Sequence, residues 1–191
     1  MLKLRALVFV TLFAAAMPFV TAVPASAASS NCAVLLVPSS IEPSGAILAT
    51  EIDLGCYPTY AEALAAGSSG AIDVPEGTTP ASLTDAVLAA DTVVIAAADA
   101  LIGTEFSALN YGGSSKSYFA PQTCSTGVVW DVADVGASWD NVFSSGKGFG
   151  GCDTNKKFEN TNFGGSVLTC TPNCANYGTL SNRVSSLRWK P

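Results

Sequence analysis

The chain has 191 residues, a net charge of −6, six cysteines and no histidine. The lack of histidine excludes Cys2His2 zinc sites, imidazole general bases and Ser-His-Asp triads. The acidic balance makes nucleic acid and anionic lipid poor partners.

Lys3 and Arg5 precede an apolar run at 6–16, and Ala25-Ser26-Ala27 supplies small residues for cleavage, the order of a secretory signal peptide over 1–27. Thr11, Pro18 and Thr21 interrupt the run, which is short for a bilayer span. A secreted, extracellular chain beginning at Ala28 is expected. All six cysteines follow that point, and an even number in an exported chain points to disulfides rather than metal thiolates. Charge is unevenly spread: residues 28–115 hold ten acids and no Lys or Arg, whereas 116–191 hold seven basic and five acidic residues. Two regions that dock on each other would show this, and so would a solvated acidic surface.

Residues 28–97 read as a small α+β region. Runs at 32–38 and 46–54 are β-prone and flank Glu42-Pro43-Ser44-Gly45, which has turn chemistry, so a hairpin is expected. Thr59-Tyr60-Ala61-Glu62 matches a capping box that opens a helix to Ala66. A strand at 71–74 and a second helix at 80–90 complete the region, which carries no chemical motif.

From Thr92 onward short β-prone runs alternate with Gly, Ser and Asn. Phe106, Tyr111, Gly113 and Ser114 recur with identical spacing as Phe158, Phe163, Gly165 and Ser166. Each copy leads to a second repeated element, Asp140-Asn141-Val142-Phe143-Ser144-Ser145 and Ser181-Asn182-Arg183-Val184-Ser185-Ser186, so 98–191 contains an internal repeat. Two aromatics around a polar linker suit a hairpin folded back so that the rings pack, with the following Gly permitting positive φ. Neither four-stranded unit closes its apolar face alone, so two packed together form the natural domain.

These residues resemble the βγ-crystallin superfamily, whose motif joins an aromatic-x4-aromatic-x-Gly hairpin to a later [Asn/Asp]-[Asn/Asp]-x-x-[Ser/Thr]-Ser element, and in particular its secreted bacterial members, which include metalloproteinase inhibitors and killer-toxin-like proteins. The resemblance implies a mainly β fold, two Greek-key motifs packed as a sandwich at about 98–146 and 147–189. It also implies two Ca2+ sites, each shared between the motifs. Carried over by position, the ligands are Asp140, Asn141 and Ser144 from one element, and Asn182 and Ser185 from the other, where Ser181 replaces the usual acid or amide. Ser107 and Glu159 are the candidates for a carbonyl contribution. The alternative is that the Ser-Ser pairs only hydrogen-bond the folded hairpin of their own motif.

Other candidates carry less. Gly146 to Gly151 formally fits G-x-G-x-x-G but runs toward Cys152 and a strand, so a strand junction is expected. Glu51 with Asp53, and Asp131 with Asp134, are the carboxylate pairs to weigh for glycoside chemistry, against solvated surface acids. Trp130 and Trp139 read as core residues rather than sugar platforms. Cys32 is expected to pair with Cys56; the other four cysteines allow three pairings, one of which closes a small loop at 170–174. That loop is either a preorganised inhibitory element or a strand staple. Together these readings give a monomeric, secreted, non-enzymatic, calcium-binding module with an extracellular protease as partner, or a structural protein rigidified by calcium and disulfides.

Overall fold

The computed structural model describes residues 30–91 and 99–191. The expected signal peptide and the expected boundary at 97/98 lie outside them. Strands β1 (Asn31–Ile41) and β2 (Ile47–Tyr57) form the expected hairpin, turned at Gly45 with φ +85° and closed by Gly45 N–H donating to the Glu42 carbonyl at 2.8 Å. Helix α1 (Tyr60–Gly67) begins on the capping box: the Thr59 hydroxyl accepts from Glu62 N–H at 3.2 Å, and the Glu62 carboxylate accepts from Thr59 N–H at 3.0 Å. Gly67 ends it against the Phe119 ring, where a Cβ would lie 2.0 Å from a ring carbon. Helix α2 (Asp85–Asp91) begins five residues later than the sequence suggests, and in place of a strand at 71–74 only Ile72 makes a bridge.

The first motif supplies β3 (Ala100–Phe106), β4 (Ser115–Ala120), β5 (Trp130–Val132) and β6 (Ser145–Gly148). The second supplies β7 (Thr154–Phe158), β8 (Val167–Cys170) and β9 (Ser186–Lys190), with Cys174 bridging antiparallel to Gly146 in place of its third strand. The strand order is β6-β3-β4-β1-β2-β5-β9-β7-β8. Each motif thus lends its third strand to the other, β5 beside β9 and Cys174 beside β6, as in a βγ-crystallin-like Greek-key sandwich.

The two layers meet in one core in which Ile102, Tyr118, Trp130, Leu187 and Trp189 are buried together. Gly103 admits the Trp189 indole; a Cβ there would lie 2.3 Å from its Nε1. The N-terminal hairpin joins the same sheet. β1 pairs parallel to β4 over Asn31 to Leu35, and β2 pairs parallel to β5 at Ile47 and Leu48, so the hairpin spans from one layer to the other and covers one edge of each. Three disulfides, Cys32–Cys56, Cys124–Cys152 and Cys170–Cys174, use every cysteine. The first links directly opposed residues of β1 and β2.

Candidate metal centre between the two motifs

The repeated hairpins fold back as the aromatic spacing predicts. Phe106 meets Tyr111 edge-on at 5.8 Å between ring centroids, and Phe158 meets Phe163 at 5.5 Å. Gly113 and Gly165 hold φ of +77° and +75° where the chain turns back. The last serine of each later element locks the hairpin of its own motif. Ser145 Oγ donates to the Ala108 carbonyl at 2.6 Å and accepts from Tyr111 N–H at 3.0 Å, and Ser186 Oγ does the same with Asn160 and Phe163 at 2.7 and 3.0 Å.

The preceding residues are exchanged between motifs. Asn141 and Asn182, at φ +59° and +57°, donate their N–H groups to the carbonyls of Val184 and Phe143, so the two elements lie against each other about a pseudo-twofold axis. This crossing builds two polar clusters. In the first, the Ser185 hydroxyl meets the Asp140 carboxylate and the Glu159 carbonyl, the latter at 2.9 Å. Asn141 fixes that carboxylate by donating from Nδ2 to Asp140 Oδ2 at 2.8 Å. The Glu159 side chain turns to its own hairpin, accepting from Ser166 N–H at 3.1 Å and pairing with Arg183. These hydrogen bonds, from Ser166 first, hold its carboxyl below the usual range, so a second negative charge flanks the cluster.

The second cluster is uncharged. Ser144 Oγ donates to Asn182 Oδ1 at 3.0 Å, Ser181 turns toward Asn176 Oδ1 at 3.4 Å, and the Ser107 hydroxyl accepts from Ser114 N–H at 2.9 Å. Asp140, Asn141 and Ser144, drawn from one short element, therefore divide between two clusters, Asp140 and Asn141 with Ser185 and Glu159, Ser144 with Asn182. Sequence reading overlooked Arg183, whose position inside the element gives no sign of its partner Glu159 in the hairpin of the same motif.

The first cluster offers only hard oxygens, one of them ionised, which is the donor chemistry Ca2+ takes. Among the described residues no three His, Cys, Asp or Glu side chains converge on one point. This donor set is of another kind, a carboxylate with hydroxyl and carbonyl oxygens.

The remaining candidates resolve simply. Gly146 to Gly148 lie in β6, and Gly150 and Gly151, at φ +62° and +70°, turn the chain toward Cys152 without a helix. Asp131 is buried against Arg188, while Asp134 is exposed and accepts from Gly136 N–H at 2.8 Å, so each is held by a separate local partner. Trp130 is fully buried and donates from Nε1 to the Gln122 carbonyl at 3.0 Å. Glu51, Asp53 and the half-buried Trp139 line a cavity of about 260 Å3 with Lys116, to which Glu51 is ion-paired.

No protein-family model matches the sequence, and no curated protein matches it. Solved βγ-crystallin domains do match in structure. A βγ-crystallin from an archaeon is 22% identical, covers 47% of this chain and 98% of its own, and superposes with a TM-score of 0.35. A domain from Clostridium beijerinckii is 19% identical over 47% of this chain and 97% of its own, at 0.37. One from Flavobacterium johnsoniae is 20% identical over 46% and 92%, at 0.33.

Proposed function

We propose that this protein is a secreted, non-enzymatic βγ-crystallin-like module that Ca2+ stabilises at the cluster of Asp140, Ser185 and Glu159. The observation that carries the reading is the meeting of a carboxylate from the first motif with a hydroxyl and a carbonyl from the second. A bound dication would neutralise the charge of Asp140 and tie the two motifs through shared oxygen ligands. In its absence the Ser185 hydroxyl proton is all that bridges Asp140 to the Glu159 carbonyl. Three disulfides and no helix long and apolar enough to cross a membrane among the described residues accord with an extracellular setting. Thermal melts in millimolar calcium and in chelator test the metal; identical melting temperatures would remove it.

The role we propose for the module is capture of an extracellular protease, the activity suggested by its resemblance to metalloproteinase inhibitors. What supports it is the 170–174 loop, closed by a disulfide and held to the sheet where Asn155 Nδ2 donates to the Pro172 carbonyl at 2.6 Å and Gly148 N–H donates to Asn173 Oδ1 at 3.2 Å. Thr171 and Asn173 remain exposed on this fixed frame, and little conformational freedom is left to lose on binding. Titration against a thermolysin-like metalloprotease is the test. No inhibition at micromolar protein would leave a structural module rigidified by calcium and disulfides.

A further inference from the structure

The core between the two layers holds an ion pair that neither the metal cluster nor the loop uses. Glu105 on β3 and Lys157 on β7, the first strand of each motif, are 0% and 1% exposed and touch through Oε1 and Nζ. Tyr177, 2% exposed, donates its hydroxyl to the other carboxylate oxygen, Oε2. Lys157 Nζ lies 5.8 Å from the centre of the Tyr177 ring and 5.4 Å from that of Trp189, so the amine is enclosed by aromatic faces. Gly146 makes room for the group: a Cβ there would lie 2.0 Å from the Tyr177 hydroxyl and 2.5 Å from Glu105 Oε2.

We propose that Lys157 and Glu105 condense into an intramolecular amide that covalently joins the first motif to the second. The amine nitrogen is already in hydrogen-bond contact with the carboxylate oxygen Oε1, one bond from the carbon it attacks, so the two reacting groups are held together before any reaction. Burial raises the Glu105 carboxyl above its usual range and lowers the Lys157 amine below its own, so transfer of a proton from Nζ to Oε1 toward the neutral, reactive pair is favoured by the surroundings. Nζ then bonds to Cδ, and negative charge develops on Oε2, where the Tyr177 hydroxyl already donates. Oε1 leaves as water with two of the three ammonium protons. Nitrogen keeps the third, Oε2 becomes the amide carbonyl, and no oxidant or co-reactant is needed. The product replaces two buried charges, each costly to desolvate, with one neutral amide. The released water enters a core with polar groups to receive it, because the Tyr118 hydroxyl and the Trp189 indole N–H are buried there without a protein partner.

Lys116 and Glu51 form an internal control. Their ion pair is more open, with the Glu51 side chain 18% exposed, its Oε1 receives no donor, and Lys116 is also held by the Val135 carbonyl at 2.8 Å. Without an oxyanion donor this second pair stays ionic.

The test is the mass of the full chain, secreted, reduced and denatured, followed by tandem mass spectrometry of its peptides. The expected result is a mass lower by one water than that calculated for the secreted chain from its own N-terminus, carried by a branched peptide that joins the segments holding Glu105 and Lys157. Lys157→Met and Tyr177→Phe should restore the full mass. A wild-type chain at full mass, or a water loss mapped to Lys116 and Glu51 or elsewhere, overturns the proposal, and this measurement decides even where a variant fails to fold. Loss of water persisting in Tyr177→Phe would overturn the role given to Tyr177.

Discussion

Substituting Asp140 with alanine separates the two polar clusters. In wild type, a cation that binds only the folded state adds RT ln(1 + [L]/Kd), about 2.7 kcal/mol at a hundredfold excess over Kd. For a chain of this size 1 kcal/mol moves the melting temperature by about 2–4 °C, so calcium should raise it by roughly 5–11 °C over chelator. Asp140→Ala also has a cost without metal, because the carboxylate accepts from Ser185 and Asn141. Ser185 keeps the Glu159 carbonyl, which limits that cost to about 1–2 kcal/mol. The informative quantity is therefore the difference between calcium and chelator within each variant, read by scanning calorimetry. It should vanish in Asp140→Ala and persist in Asn182→Ala, whose cluster has no carboxylate. Ser181→Asp supplies the missing charge beside Ser144 and Asn182 and should add a second calcium-dependent increment. An undiminished difference in Asp140→Ala would refute the assignment of the first cluster.

Replacing Cys32 and Cys56 by alanine opens a loop with a sequence separation of 24 and should cost about 3.5 kcal/mol by chain entropy, against about 2 kcal/mol for Cys170 and Cys174 with a separation of 4; urea denaturation measures both. Alkaline pH should destabilise the fold steeply. Burial pushes Tyr60 up to about 12 and Tyr118 and Tyr177 well above the ordinary 10, so from pH 10 upward the unfolded chain loses phenolic protons that the folded chain keeps. Stability then falls by about 1.4 kcal/mol per pH unit for each of the three, whereas lysines lowered by burial have made their opposite contribution by about pH 10.5; unfolding midpoints that stay level from pH 10 to 12 would contradict the burial. Residues 99–191 produced alone should associate or melt well below the full chain, since removal of β1 and β2 bares the edges of β4 and β5 and leaves Lys116 without Glu51. Size-exclusion chromatography showing a monomer of unchanged melting temperature would contradict this.

What the sequence discloses is what lies close along the chain. The capping box at Thr59 and Glu62, the turn at Gly45 and the folded hairpins at Phe106 and Phe158 each depend on residues within a few positions of one another, and all form as expected. The polar clusters are less legible because the pseudo-twofold exchange decides them. Asp140 finds Ser185, 45 residues away, while its neighbour Ser144 finds Asn182, and no spacing within either element marks the exchange. Glu105, Lys157 and Tyr177 are the least legible. In the β7 run Thr-Asn-Lys-Lys-Phe nothing sets Lys157 apart from Lys156, and only the packed sandwich shows that Lys157 faces inward onto a carboxylate 52 residues earlier.

The place of the N-terminal hairpin follows from the same distinction. Its strands are local and were expected; its partners are parallel neighbours far along the chain, and parallel pairing leaves no turn in the sequence to announce it. The uneven charge is the trace that remains. Glu51 of β2 meets Lys116 of β4, and Glu42 at the hairpin turn reaches Arg188 of β9 at 3.4 Å, so acids from the half without Lys or Arg meet cations from the other half at both layers. Lys147 adds a third tie, donating to the carbonyls of Pro80, Ala81 and Leu83 at 2.8–3.0 Å. Between the two readings of that asymmetry these contacts favour docking: a segment with no cation of its own becomes a complementary bridge between the layers of a sandwich that supplies the cations.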